Sequence, residues 1–203
     1  MNAAPDIVGL SRLEDLRDPP KILYANGDQE ALNNPCVAIV GSRACSPYGR
    51  DIARQLGRQF AQAGATVVSG LARGIDAEAH RGALDVDGRT VAVFGCGIDR
   101  IYPSAHGELA ARMLLHGGLH VSEYEPGVDP ATWRFPARNR IIAGLAHAVI
   151  VVEARDVSGS LICADFALET GRPLYAVPGR IFDSNSQGTN KLIASGVAKP
   201  IVS

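Results

Sequence analysis

The chain has 203 residues, and 20 Lys and Arg against 21 Asp and Glu give a formal net charge of −1. That balance excludes a protein that coats nucleic acid by overall charge, though not a local basic site. At 46% hydrophobic and 20% charged, the composition excludes a disordered or fibrous chain. No apolar run reaches the roughly 18 residues of a membrane helix. The N-terminal MNAAPDIVGLSRLEDLRD carries acids and no apolar stretch, so it does not read as a signal peptide, and a cytoplasmic location is expected. Cys36, Cys45, Cys96 and Cys163 lack C-x-x-C or zinc-like spacing and read as reduced thiols, with no metal site expected.

Residues 1–35 are punctuated by Pro, Asp and Asn and read as an N-terminal extension. Their one hydrophobic stretch, Lys21–Tyr24, is able to pair as an edge strand. From residue 36 to 203 the rhythm changes to short β-branched runs alternating with Ala-rich segments of helical period. Strands are predicted at Val37–Val40, Thr66–Ser69, Thr90–Phe94, His120–Glu123, Ala148–Glu153 and Leu174–Val177. Helices are predicted at Tyr48–Ala63, Ile75–Leu84, Ala105–His116, Pro136–Ala146, Ser160–Glu169 and Gly188–Ser195. Continuous apolar strands such as Ala148–Val152 are covered on both faces. The alternation predicts one α/β domain around a doubly wound, mostly parallel sheet. Ligands of such sheets bind beyond the strand carboxyl ends, so chemistry is sought in the loops that follow each strand.

Gly41-Ser42-Arg43 follows the first of these strands and leads into a helix, where bare N–H groups and a guanidinium fork suit phosphate. A tight turn with an exposed Arg fits the same residues. Ser69-Gly70-Leu71-Ala72-Arg73-Gly74-Ile75-Asp76 is a second Gly-bracketed turn with an Arg inside it. Gly95-Cys96-Gly97-Ile98-Asp99-Arg100 lacks the last Gly of a dinucleotide fingerprint, and no P-loop pattern occurs. Trp133-Arg134-Phe135-Pro136-Ala137-Arg138-Asn139-Arg140 interleaves cations with aromatics, as single-stranded nucleic acid requires. A capped helix start with solvated Arg is the plainer alternative. Ser158-Gly159-Ser160-Leu161 opens a further helix with hydroxyls and N–H groups. Ser186-Gln187-Gly188-Thr189-Asn190-Lys191 adds a polar loop with a Lys.

Taken in order, Gly41-Ser42-Arg43, Ser69–Asp76, Phe135–Arg140, Ser158–Leu161 and Gly188-Thr189-Asn190 resemble the motif series of the DprA/Smf family of bacterial DNA-processing proteins. The resemblance runs from about Pro20 to about Gly196. It implies an extended Rossmann-like core that binds single-stranded DNA, protects it, and hands it to the RecA recombinase in natural transformation, with no catalysis and no cofactor. It also implies a homodimer. The family's N-terminal SAM-like and C-terminal winged-helix-like domains are not expected within these residues. On this resemblance Arg43 is the first candidate for a backbone phosphate, with Arg73, Arg138, Asn139 and Arg140 beside it. Phe135 is a candidate stacking surface. Gly41, Ser42, Gly70, Gly74, Ser158, Gly159 and Ser160 would supply N–H and hydroxyl donors, and Lys191 a further cation.

Two other readings use the same loops. A phosphoribohydrolase related to the lysine-decarboxylase-like family would need a glutamate where Cys163 stands, and a thiol cannot stabilise an oxocarbenium-like charge. A small-nucleotide sensor would read a mononucleotide instead of a strand. His80, His106, His116, His120 and His147 lie outside any G-x-S-x-G elbow and read as structural.

Overall fold

The computed structural model describes residues 10–202. Six α-helices and eight strands alternate along this stretch. The strands are β1 (Tyr24–Gly27), β2 (Cys36–Val40), β3 (Thr66–Ser69), β4 (Thr90–Phe94), β5 (Leu119–Ser122), β6 (Ala148–Val151), β7 (Leu174–Ala176) and β8 (Lys199–Pro200). The helices are α1 (Pro47–Gln62), α2 (Ile75–Leu84), α3 (Gly107–Leu115), α4 (Arg134–Leu145), α5 (Gly159–Glu169) and α6 (Gln187–Ala194). The sheet order is β1-β5-β4-β3-β2-β6-β7-β8, parallel throughout except for antiparallel β1 at one edge. This is the doubly wound α/β sheet expected from the alternation. Strand order reverses at β2, whose neighbours are β3 on one side and β6 on the other. The loops leaving β2 and β6 therefore diverge, and a crevice opens between them.

Helices cover both faces. Val37, Ile39, Val67 and Ile150 pack against Ala53, Leu56, Ala79 and Ala83 of α1 and α2. The opposite face meets Ile141, Ile142, Leu145, Cys163, Ala164 and Ala167 of α4 and α5. Helices α1 and α2 come into backbone contact: a Cβ at Gly57 would collide with Ala79, and one at Gly82 with Arg54. Leu13, Leu16, Leu23 and Leu32 are buried in the same core, so the described part of the N-terminal extension is built into the domain. Among the described residues, no helix is long and apolar enough to cross a membrane.

Three boundaries move and one strand is added, each for a physical reason. The edge strand forms at Tyr24–Gly27, not Lys21–Tyr24, because pairing with β5 begins at Tyr24↔Ser122. Helix α4 starts at Arg134 because Pro136 is tolerated in a first turn, where its missing N–H has no intrahelical role. Strand β6 stops at Val151, and the Glu153 carbonyl accepts from the Ser42 amide in the β2 loop. Strand β8 is only two residues long and carries Pro200 at the sheet edge, too short for a periodic signal.

His80 on α2 and His120 on β5 are buried, and the Nε2 of each has no hydrogen-bond partner among the described residues. The Nδ1 of His80 meets the Thr90 hydroxyl at 2.6 Å, and the His120 ring lies 4.9 Å from Phe94. Burial first, and then the charges of His120, His106, Arg138 and Arg81, hold His80 down at about 3. Burial holds His120 at about 4, opposed by a hydrogen bond to the Ala110 backbone. In the unfolded chain both titrate near 6.5. Above that pH they are neutral in either state, so their full contribution is present. As pH falls from 6.5 towards 4 the unfolded chain takes up protons that the folded protein refuses. Each histidine then costs about 1.4 kcal/mol per pH unit. Urea unfolding is expected to show stability falling steeply across this window, and His80→Asn to flatten the slope by one proton.

Candidate functional site

The crevice between the β2 and β6 loops is a cleft of about 510 Å³. Gly41, Ser42, Arg43, Phe135, Arg138, Asn139, Ser158, Gly159 and Ser160 line it. An adjoining cleft of about 550 Å³ shares Arg43, Phe135 and Arg138 and adds Gly70 and Arg73. Eleven of the fourteen residues singled out from sequence thus line these two clefts at one strand edge. Gly74 lies beneath it, and Arg140 and Lys191 face other partners, while Tyr102 and Arg155 join unforeseen. Both of these newcomers follow strands at the carboxyl edge, so the loop rule alone could have found them.

The N-termini of the two helices behind the cleft already hold carboxylates. Glu153, 2% exposed, accepts from the Ser46 amide (2.8 Å) and from the Ser46 hydroxyl at the start of α1. A Cβ at Gly49 would strike that carboxylate. Asp76 accepts from the Gly70 amide (3.2 Å) in the first turn of α2. The Ser42 amide is spent on the Glu153 carbonyl, and the Ser42 hydroxyl accepts from Ala44 N–H. Ser42, Gly70 and the α1 and α2 termini were expected to capture phosphate. The Ser42 and Gly70 amides are instead satisfied within the protein, and the glycines serve close packing. Gly41 abuts Ile75, and Gly74, at φ +77°, abuts the Ser42 and Arg43 carbonyls.

Two of the four expected site arginines are also internal. Arg138 is 3% exposed and donates to the Gly70 carbonyl (2.6 Å) and the Val93 carbonyl, with Asp76 at 4.0 Å. Burial lowers its pKa, with Asp76 opposing; burial raises that of Asp76, with Arg138 opposing. Arg140 makes a two-pronged pair with Glu123 (2.7 and 2.6 Å) and donates to the Asp18 carbonyl, so it fastens the N-terminal segment to β5 and α4. Asn139 bridges helices, donating to the Gly159 carbonyl at 2.9 Å and accepting from Arg138. Lys191 pairs with Asp156 in the neighbouring groove between α5 and α6.

The groups open to solvent form a smaller set. Arg43, Arg73 and Arg155 are exposed cations on the cleft walls. The Arg43 guanidinium lies over the Phe135 ring at 5.1 Å, and Tyr102 stacks on Phe135 at 5.1 Å and 27°. Ser158 caps α5 with its hydroxyl 2.8 Å from that of Ser160, at the mouth of the cleft. Cys163 lies at the cleft floor, where burial pushes its thiol up to about 12. Such a set offers cations, flat rings and hydroxyls. Arg138→Ala is expected to cost about 3 kcal/mol or more in denaturant unfolding, because it strands Asp76 and two strand-end carbonyls. Arg43→Ala is expected to stay within about 0.5 kcal/mol of the parent.

The family model of DNA recombination-mediator protein A matches residues 10–203. Protein Smf of Escherichia coli is 47% identical over 179 residues, covering 88% of this chain and 48% of that protein. The DNA processing protein DprA of Streptococcus pneumoniae is 45% identical over 184 residues, covering 91% of this chain and 64% of that protein. The chain therefore spans between about half and just under two thirds of the length of these relatives. The X-ray structure of the S. pneumoniae protein superposes with a TM-score of 0.88, covering 95% of this chain and 67% of that one. The Helicobacter pylori DNA processing protein A, solved for its single-stranded DNA binding mode, is 37% identical with a TM-score of 0.87 and coverages of 95% and 87%. A molybdenum cofactor binding protein from Rippkaea orientalis shares the fold alone, at 19% identity and a TM-score of 0.59. Matched over nearly its whole length by sequence and by fold, the chain belongs to the DNA recombination-mediator protein A family, the DprA/Smf proteins.

Proposed function

We propose that this chain binds single-stranded DNA along the two joined clefts and catalyses no reaction on it. The observation that carries the reading is the Arg43 guanidinium over the Phe135 ring, on which Tyr102 also stacks, flanked by exposed Arg73 and Arg155. Cations track a phosphate backbone while aromatic faces receive bases of any identity. Arg43, Arg73 and Arg155 are the phosphate contacts in this reading. Ser158, Gly159 and Ser160 donate at the α5 terminus, where no carboxylate accepts from them among the described residues. Arg138 contributes by holding the cleft floor, Asn139 by holding a wall, and Arg140 by fastening the N-terminal segment. The single-stranded DNA binding named for the H. pylori relative supports the same ligand. A non-catalytic role is supported by the commitment of Asp76 and Glu153 to buried partners and by the high thiol pKa of Cys163. Protection of incoming DNA, delivery to a RecA-type recombinase, a homodimeric state and a cytoplasmic location complete the proposal and rest on family membership.

Fluorescence anisotropy with labelled oligo-dT at several salt concentrations tests the ligand. Arg43→Ala, Arg73→Ala and Arg155→Ala are each expected to weaken binding and to lower the log–log salt slope by about 0.7 per lost phosphate contact. Base release from a nucleoside monophosphate at enzymatic rates, with no oligo-dT bound at low salt, would establish the hydrolase reading instead.

A further inference from the structure

Trp133 lies between two cleft-lining residues, Thr132 and Phe135, yet its ring is not part of the cleft wall. It is 62% exposed, at the N-cap of α4. The Arg134 guanidinium lies 4.9 Å from the Trp133 ring centroid and 5.1 Å from that of Tyr124. Tyr124 meets Trp133 edge-on, with centroids 6.3 Å apart at 88°. Arg134 is itself fixed by donating to the Asp129 carbonyl, and its Nε is buried without a hydrogen-bond partner among the described residues. Burial, and then Glu123, push the Tyr124 hydroxyl up to about 12, so the ring beside the guanidinium stays a neutral phenol. An indole is therefore held in place by a cation and a second aromatic while most of its surface meets solvent. The entropy of ordering it has already been lost in the free protein, which favours whatever stacks there. Phe135, by contrast, already carries Arg43, Tyr102 and contact with Gly95, which leaves the exposed Tyr102 as the open ring of the cleft.

We propose that Trp133, buttressed by Arg134 and Tyr124, is a second base-stacking platform that continues the single-strand path out of the cleft. The inference rests on the single-stranded DNA reading and deepens it. Continuity with the cleft through Thr132 and Phe135 favours a base of the same strand over a separate partner. Charges near the platform largely cancel. Arg134 is spent on the two rings, and Arg100 faces Asp99 and Asp129 at 4.0 and 3.7 Å. The platform therefore acts by stacking without a phosphate contact, and its loss leaves the salt slope alone.

Trp133 is the one tryptophan in the chain, so intrinsic emission reports on this ring directly. Titrating the full chain with oligo-dT is expected to quench that emission in step with anisotropy of the labelled oligonucleotide. Trp133→Ala is expected to weaken binding roughly 5- to 150-fold, the range of one base–aromatic stack, with an unchanged salt slope and an unchanged urea midpoint. Trp133→Phe is expected to restore most of the affinity. Binding by anisotropy without quenching, and with Trp133→Ala equal to the parent, overturns the platform and leaves the cleft reading standing. Emission that changes with protein concentration alone assigns the ring to contact with a second copy and also overturns it. No binding of oligo-dT at low salt removes the cleft reading, and the platform falls with it.

Discussion

A guanidinium with almost no access to water needs acceptors around it, and Arg138 finds them at the ends of two adjacent strands. It ties the Gly70 carbonyl beyond β3 to the Val93 carbonyl in β4, and it faces Asp76 in the first turn of α2. Gly70 carries no side chain because a Cβ there would occupy the guanidinium's position. Asp76 in turn takes the Gly70 amide. The floor of the cleft is thus a closed set of mutually dependent contacts, and removing any one leaves a buried polar group without its partner. The walls are held by comparable contacts, Glu153 on the Ser46 end of α1 and Asn139 on the start of α5.

This interior wiring divides the polar groups of the carboxyl edge into two kinds. Helix N-termini attract anions through their partial positive charge and unpaired N–H groups. At α1 and α2 the protein supplies its own carboxylates, which fixes the helices and withdraws those termini from ligand binding. The arginines at the surface are left as exposed cations of the kind suited to tracking a phosphate chain. Recognition by such a surface follows backbone charge and ring faces rather than base edges, which suits a ligand of arbitrary sequence.

Aromatic residues follow the same division. Phe94 packs on His120 in the core, Phe135 lies under Arg43 and Tyr102 in the cleft, and Trp133 stands outside on a cation and a phenol. The three form a series of increasing exposure from the sheet to the rim. Arginine recurs as the partner of the two outer rings because its flat, weakly hydrated head stacks where an ammonium would stay in water.

The alternation of β-branched runs with helical periods determined the doubly wound sheet, since strands covered on both faces and amphipathic helices admit few other arrangements. It also pointed to the loops beyond the strand carboxyl ends, while the reversal of strand order at β2, which brings the loops after β2 and β6 to one crevice, came from the fold. Arg43, Phe135 and the Ser158–Ser160 turn were legible from that rule together with residue type. The fate of each charge was not legible. Nothing in Phe135–Arg140 distinguishes Arg138 or Arg140 from a phosphate ligand, because their partners, Gly70, Val93, Asp76, Glu123 and Asp18, lie at distant points of the chain. The same holds for Glu153, whose partner Ser46 is 107 residues away. Sequence set which residues reach the carboxyl edge; only tertiary packing decided which charges are neutralised inside it and which remain in water, since that depends on what the fold brings within hydrogen-bond reach.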